Sequence, residues 1–529
     1  MNSALTGKIP ANRWWKTFLA LSSALSLALA LALALALVAH LVPGVAGRAA
    51  AQQAIPAAAT TPAAPAAASA TPAPEPEMTL PAGFPAAVAN ALRAAKLPAT
   101  AIGFFVQDVT ATKPALALNP DRAMNPASVM KLVTTYSALE LLGPSFVWKT
   151  GFFATGTLRG DVLDGDLIIK GSGDPKFSQE QLWLALKAVR ARGVREIRGN
   201  ILLDRSGFDA NGYDAAKFDG DPLRAYNAGP DALLINFKAL ALTFAPDDSA
   251  AGVTVSAEPR GLPVRSGVKL TNGACAEFRA APVKAKIDAA GIHLSGNYAA
   301  SCGVKTWWLH PFELSHQQYA AAVIRQLWID TGGGLNGDVR DGAVPAGARL
   351  LYEAESQSLA EITRDINKFS NNVMARQLFL TLSAETLRMA GSAERSARAV
   401  KTWLAEKKIG GEELVMENGS GLSRIERLSA GAMGRLLVAA FKSPVMPELM
   451  SSMPLVAYDG TMRRRLKTRD IAGQAHIKSG SLNDVRSMGG YVLAASGRRY
   501  AVVFMVNHGN AGASQGAQDA LLQWVYAEG

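Results

Sequence analysis

Pro126-Ala127-Ser128-Val129-Met130-Lys131-Leu132-Val133 decides how this 529-residue chain reads. Pro126 suits a helix entry, so a helix is expected from about Ser128 through Leu142. Ser128 and Lys131 stand three apart, which puts both side chains on one helix face. A serine hydroxyl needs a base to take its proton before it attacks a carbonyl. A lysine stripped of its charge by burial or by positive neighbours is such a base. The helix start adds N–H groups and a dipole that favour developing negative charge. The pattern is common, however, and Ser266-Gly267-Val268-Lys269 repeats it. That copy lies in a β-like run, where residues three apart point to opposite faces. Taken alone, Ser128 also reads as an ordinary helix-capping serine.

Two further patterns lie downstream. Ser370-Asn371-Asn372 falls between helical segments, where a hydroxyl can relay protons and an amide can hold a carbonyl. Lys478-Ser479-Gly480 ends a strand-like run. Its lysine and hydroxyl suit a carboxylate, and its glycine lets a ligand lie against the strand. Ser295-Gly296-Asn297 and Ser481-Leu482-Asn483 copy the first pattern, and Lys149-Thr150-Gly151 copies the second. Serine-lysine, then S-x-N, then K-[S/T]-G resembles the order in the penicillin-recognising serine enzymes. Lys149 precedes every S-x-N pattern and drops out.

Around these motifs a helix is expected over Ala86–Ala95, with strands over Ile102–Val109 and near Ala115–Leu118. From Gly151 to about Val344, Gly and Asp punctuate short β-like runs such as Val162–Lys170, Gly199–Asp204 and Val253–Ala257. Helical texture returns at Ser358–Leu382, where Leu359, Ile362, Ile366, Phe369 and Val373 recur at helical spacing. Further helices are expected near Ala393–Lys407, Ser429–Phe441 and Ser514–Tyr526. Ala475–Ile477, Gly489–Ala495 and Tyr500–Asn507 read as strands. Strands at both ends with helices between them imply one split α/β domain, 84–150 with 345–529. The chain is long enough for more than one core. The intervening stretch divides into an inserted domain over 151–230 with 310–344 and a second over 231–309.

At the N-terminus, Lys8, Arg13 and Lys16 precede an uncharged run from Phe18 to Ala39. As a helix this run would be about 33 Å long, enough to span a bilayer. Ala49-Ala50-Ala51 before Gln52 is an acceptable cleavage site. A cleaved export signal over 1–51 is expected, with an uncleaved membrane anchor as the alternative. Either places the folded part outside the cytoplasm, in the periplasm. Residues 52–83, rich in Ala, Pro and Thr, read as an extended linker. The chain carries 54 Lys and Arg against 43 Asp and Glu, a net charge of +11. That balance suits anionic envelope surroundings. Arg463-Arg464-Arg465 with Lys467 is short and lacks interleaved aromatics, so it reads as a solvated face and no nucleic-acid partner is expected. Cys275 and Cys302 are the two cysteines. In an exported chain they suggest one disulfide, with two buried thiols as the alternative. The six histidines show no metal-ligand cluster. No metal or cofactor is expected. His476 shares strand parity with Lys478 and reads as a packing residue.

Several local stretches extend the resemblance. They are Lys170-Gly171-Ser172-Gly173-Asp174-Pro175, Tyr226-Asn227-Ala228-Gly229-Pro230-Asp231, Asn418-Gly419-Ser420-Gly421-Leu422-Ser423-Arg424 and Tyr458-Asp459-Gly460-Thr461. With the 239 positions separating Lys131 from Ser370, they make the chain resemble the low-molecular-mass class C penicillin-binding proteins, the D-alanyl-D-alanine carboxypeptidase/endopeptidases. Two departures are mild: Ser479 replaces the usual threonine, and Glu417-Asn418 stands where an aspartate usually precedes Gly-Ser-Gly. The resemblance implies an α/β DD-peptidase/β-lactamase-like transpeptidase fold, a sheet flanked by helices, with two inserted, mainly β domains. It implies peptidoglycan stem peptides as substrate and β-lactam antibiotics as covalent inhibitors. It makes Ser128 the acylated nucleophile, Lys131 its base, and Ser370 with Lys478 the relay to the leaving group. Asn372 would hold the peptide, and the Ser479 and Ser481 hydroxyls, beside Gly480, the terminal carboxylate. The N–H groups of Ser128 and Ser481 would form the oxyanion hole. Asp204, in Asp204-Arg205-Ser206-Gly207-Phe208, resembles a position that meets the amine end of the stem peptide. The alternatives are a β-lactamase, faintly suggested by Glu412-Glu413-Leu414-Val415, and a catalytically silent penicillin-sensing wall-binding module.

Overall fold

The computed structural model describes residues 80–529 except 82, 210–211, 248–251 and 276–282. The signal or anchor over 1–51 and nearly all of the linker over 52–83 lie outside the described residues. Among those described, no helix is long and apolar enough to cross a membrane.

Strands from both ends of the chain build one antiparallel sheet. Its order is Ala475–Leu482, Val485–Leu493, Arg499–Asn507, Ile102–Asp108, Leu116–Leu118. Ile102–Asp108 pairs along its full length with Arg499–Asn507, with Phe104 opposite Phe504. Successive side chains of a strand point to opposite faces. Phe104, Val106, Val502, Phe504 and Val506 therefore share one core with the helices Ala86–Ala94 and Gln515–Glu528. Phe105, Val503 and Met505 enter the other, with the helices Met130–Leu142, Asn372–Leu387 and Ala430–Phe441. A sheet covered on both faces needs apolar residues at nearly every position, which is why these strands read as continuous apolar runs.

The helices start where their caps dictate. Ser178, Ser315 and Ser358 each form a capping box, with Gln181, Gln318 and Glu361 respectively. The helical run expected over Ser358–Leu382 is two helices, Leu359–Phe369 and Asn372–Leu387. Ser370 breaks it in a left-handed conformation, φ 56°, and Asn371 caps the second helix through Met374 N–H at 3.0 Å. The expected helix at Ser128 begins instead as a 3-10 turn, Ala127–Val129, that runs into Met130–Leu142.

Between these elements the described residues form four further sheets and two α-helices. Two three-stranded sheets occupy Leu240–Leu309. A four-stranded and a five-stranded sheet flank the helices Gln179–Ala191 and His316–Asp330. The strand Arg349–Glu355 pairs with Lys149–Ala154. The insertion's sheets therefore extend past residue 344. Cys275 and Cys302 form a disulfide, Cα atoms 4.9 Å apart. Asn236, Phe237 and Lys238 are left-handed in succession, at φ 47°, 57° and 47°. Each such non-glycine residue costs about 1–2 kcal/mol.

Phe504 is fully buried against Phe104, ring centroids 4.5 Å apart. Phe504→Ala is expected to lower unfolding stability by about 3–5 kcal/mol. Chemical denaturation measures this, and a loss below about 1 kcal/mol would contradict the pairing of the two chain ends.

Candidate active site

Three segments far apart in sequence meet at the Lys131 amine. Its Nζ lies 3.1 Å from Ser128 Oγ, donates to Asn372 Oδ1 at 2.5 Å, and donates to the Ser420 carbonyl. Lys131 is fully buried. Burial, then Lys478 and Arg376, hold its pKa well below the ordinary lysine value, and Glu426 works in the opposite direction. Two of its three partners are oxygens that only accept. A neutral amine spends both hydrogens on them, and its lone pair is left for the Ser128 hydroxyl.

The turn carrying Ser128 is held from several sides. Ala127, just before it, is left-handed at φ 44°. Asn125 Oδ1 accepts from Ala127 N–H at 2.9 Å, and Asn507 Nδ2 donates to the Asn125 carbonyl at 3.0 Å. Ser487 Oγ donates to the Pro126 carbonyl at 2.6 Å. Gly480 packs so closely that a Cβ there would sit 2.9 Å from Ser128 N and 2.2 Å from Ser487 Oγ. The glycine of K-S-G thus brings the edge strand against the serine turn.

Lys478 is the second buried amine. Its Nζ donates to Ser370 Oγ at 2.9 Å and to the Ser479 carbonyl at 2.7 Å. Burial draws its pKa down to about 7. Along the strand Ala475–Leu482, Lys478 and Gly480 are buried while Ser479 and Ser481 face outward on the sheet's edge. Ser479 Oγ lies 2.8 Å from Thr461 Oγ1. The structure thus brings Ser128, Lys131, Asn372, Ser370, Lys478, Ser479, Gly480 and Ser481 to one edge of the sheet.

Asp204 lies elsewhere. Its carboxylate accepts from Ser206 N–H, Ser206 Oγ and Val344 N–H, at 3.1, 2.6 and 3.0 Å. It lines a cavity within the insertion. Among the described residues no hydrogen bond joins His476 to the Ser128 cluster, and no cluster of His, Cys, Asp and Glu is placed to hold a metal ion.

The supporting partners were harder to see in the sequence. Glu426 is fully buried and accepts from the Glu417, Asn418 and Gly419 N–H groups at 3.1, 2.9 and 2.9 Å, fixing the turn that presents the Ser420 carbonyl. Arg376 donates to the Tyr226 and Ala228 carbonyls, and Gln377 donates to the Gly173 and Asp231 carbonyls. Lys368 pairs with Asp459 at 2.5 Å. Each of the four glycine-bearing stretches quoted above supplies at least one of these partners. That was the available signal, though it does not say which atom does what.

A family model described as D-Ala-D-Ala carboxypeptidase 3 (S13) matches residues 85–527. The chain belongs to this S13 family. It is 25% identical over 420 residues to the D-alanyl-D-alanine carboxypeptidase DacB of Haemophilus influenzae, covering 78% of this chain and 86% of that one. It is 28% identical over 443 residues to the D-alanyl-D-alanine carboxypeptidase of Actinomadura sp. strain R39, covering 79% and 80%. The crystal structure of penicillin binding protein 4 (dacB) from Haemophilus influenzae matches with a TM-score of 0.70 at 23% identity, over 83% of this chain and 99% of that one. The S13 chain therefore has the DD-peptidase/β-lactamase-like fold expected from its motifs.

Gly421 has φ 77°, and a Cβ there would lie 1.9 Å from the Ala127 carbonyl oxygen and 2.7 Å from Ser128 N. Gly421→Ala is expected to displace the Ser128 turn and slow acylation by a penicillin about 100-fold, with the circular dichroism spectrum unchanged. Wild-type acylation rates in that variant would show that the turn does not depend on this contact.

Proposed function

We propose that the S13 chain is a serine D-Ala-D-Ala carboxypeptidase that also cleaves peptide cross-links, working through an acyl-enzyme on Ser128. The observation that carries this reading is the Lys131 amine, whose hydrogens are committed to Asn372 and Ser420 while Ser128 Oγ stands at its remaining position. Lys131 takes the hydroxyl proton as Ser128 Oγ attacks the carbonyl between the two terminal D-alanines. The Ser128 and Ser481 N–H groups receive the oxyanion. The Asn372 amide NH2 holds the carbonyl of the preceding peptide unit. Ser370, bonded to Lys478, passes a proton to the departing amine. The Ser479 and Ser481 hydroxyls hold the free carboxylate. Water then attacks the ester and releases Ser128. A β-lactam mimics the peptide and leaves the enzyme acylated. An intact Ser128, Lys131, Ser370 and Lys478 set favours this over a silent wall-binding module.

An enzyme of this kind meets its substrate outside the cytoplasm. The apolar Phe18–Ala39 run after Lys8, Arg13 and Lys16 supports export to the periplasm, with residues 1–51 as a cleaved signal or retained anchor. Asp204 is proposed to meet the amine end of the stem peptide through the cavity it lines.

Fluorescent penicillin is expected to label the protein covalently, and Ser128→Ala to abolish the label. Labelling that survives this change would refute the nucleophile. Lys131→Ala is expected to keep the fold and lose acylation by about 100-fold or more, and unchanged acylation would remove Lys131 as base.

The two amines also set a pH dependence. The Lys478 ammonium favours a substrate that ends in a carboxylate, and it loses its proton above about pH 7 in the free enzyme. For such a substrate kcat/KM is expected to fall on the alkaline side with an apparent pKa near 7. An amidated substrate of the same length should fall less steeply, because it loses the Lys478 proton that serves the leaving group but no carboxylate partner. A ratio of the two kcat/KM values that stays constant through pH 7 would exclude Lys478 from carboxylate recognition.

A further inference from the structure

The strand Ala475–Leu482 stands at the edge of its sheet, and the first half of that edge is covered. Ile477 N–H donates to the Pro454 carbonyl at 2.8 Å, and Val456 N–H donates to the Ala475 carbonyl at 2.9 Å. In an antiparallel strand the backbone groups of alternate residues point to the same side. The Ser479 and Ser481 N–H groups therefore face the same edge as Ile477. The covering loop turns back at Asp459 and Gly460 and brings Thr461 to the edge, with its Oγ1 2.8 Å from Ser479 Oγ. Among the described residues neither hydroxyl has another hydrogen-bond partner. Either can donate in the free enzyme.

Thr461 is exposed, yet the chain on both sides of it is pinned. Asp459 accepts from Leu455 N–H at 2.7 Å and from Lys368 Nζ at 2.5 Å. Lys368 lies on the last turn of the helix that ends at Ser370, so this ion pair ties the Ser370 and Thr461 segments together. Gly460 is left-handed at φ 54°, and a Cβ there would sit 2.6 Å from the Lys368 carbonyl oxygen. Met462, on the other side of Thr461, is fully buried. Ser479 gains from a neighbour held this firmly. A serine lacks the second branch that stiffens χ1 in a threonine, so its hydroxyl is free to leave the useful well. It also has a single hydrogen. When Ser479 O–H donates to an anion, its oxygen is left to accept, and the Thr461 hydroxyl is the donor within reach. That bond selects one rotamer and polarises the O–H that meets the anion.

We propose that Thr461 is a positioning residue for recognition of the substrate's free carboxylate: its hydroxyl donates to Ser479 Oγ and turns the Ser479 hydrogen toward that carboxylate. This rests on the reading above that the Ser479 and Ser481 hydroxyls hold the carboxylate. The test compares kcat/KM of the whole protein on a peptide ending in D-Ala-D-Ala and on its C-terminal amide. The carboxylate-to-amide ratio is expected to fall about tenfold in Thr461→Val, which keeps the shape of the side chain. It is expected to return to within about twofold of the starting ratio in Thr461→Ser, which restores the hydroxyl. In a Ser479→Thr background the β-branch orients the hydroxyl, and Thr461→Val is expected to lower the ratio by about threefold or less. A ratio unchanged by Thr461→Val overturns the proposal, because a merely structural role weakens both peptides alike. So does a ratio that Thr461→Ser fails to restore, or a full tenfold loss in the Ser479→Thr background. Ser479→Ala, measured in parallel, separates the two levels. A ratio that survives Ser479→Ala refutes the carboxylate role of Ser479 and this proposal with it. A ratio lost in Ser479→Ala but kept in Thr461→Val refutes Thr461 alone.

Discussion

Everything around Ser128 depends on keeping water away from one lysine amine. In water Lys131 would hold its proton and be useless as a base. Fully buried, it favours the neutral form because a buried ammonium loses its hydration. Burial alone would leave two N–H groups unsatisfied, and each buried unmade bond is costly, about 1–3 kcal/mol. The Asn372 amide oxygen and the Ser420 carbonyl meet that need. The same two contacts fix the lone pair toward Ser128. One requirement, a dry and satisfied amine, thus forces the Met130–Leu142 helix, the Asn372–Leu387 helix and the 418–424 turn to converge.

The insertion takes part in meeting this requirement. Asn372 opens a helix whose next turn carries Arg376 and Gln377, both nearly fully buried. Arg376 is bonded to the Tyr226 and Ala228 carbonyls, and Gln377 to Gly173 and Asp231. Those loops belong to the inserted segment. Buried polar side chains of this length stay only where their partners are present. The inserted loops therefore fix the position of the helix that presents Asn372 to Lys131. A chain that lost them would leave Arg376 as an unpaired buried charge, which is strongly destabilising.

Much of this was legible because the signals were local. The helix at Met130 and the helices after Ser358 follow from apolar spacing and serine caps. The paired strands Ile102–Asp108 and Arg499–Asn507 follow from their unbroken apolar runs. Legibility failed where function replaced packing. The strand read as ending at Ile477 runs on to Leu482, because Lys-Ser-Gly-Ser carries no β-branched signal yet must line an open edge. The Ser370 break was legible as a motif but not as a left-handed residue, since no propensity places a serine there. The partners of Lys131 were hidden most deeply. A backbone carbonyl such as that of Ser420 has no sequence identity, and Glu426 reads as an ordinary surface acid. Asp204 was singled out by its local motif, but the motif does not show that Ser206 and Val344 hold its carboxylate at the wall of a cavity.

The two lysines divide the acid–base work between them. Lys478 appears among the charges that depress Lys131, so the two amines resist being charged together. Burial lowers both amines, and the Lys478 and Arg376 charges lower Lys131 further. When two titratable groups share a site and their environments push their pKa values apart, the proton goes to the one held less strongly down. Near neutrality that one is Lys478. Its proton, one hydrogen bond from Ser370 Oγ, lies on the leaving-group side, and the bare amine of Lys131 lies on the nucleophile side. In the proposed reaction the roles of base and acid therefore follow from which lysine the fold buries beside more positive charge, and neither lysine needs a partner carboxylate to set them.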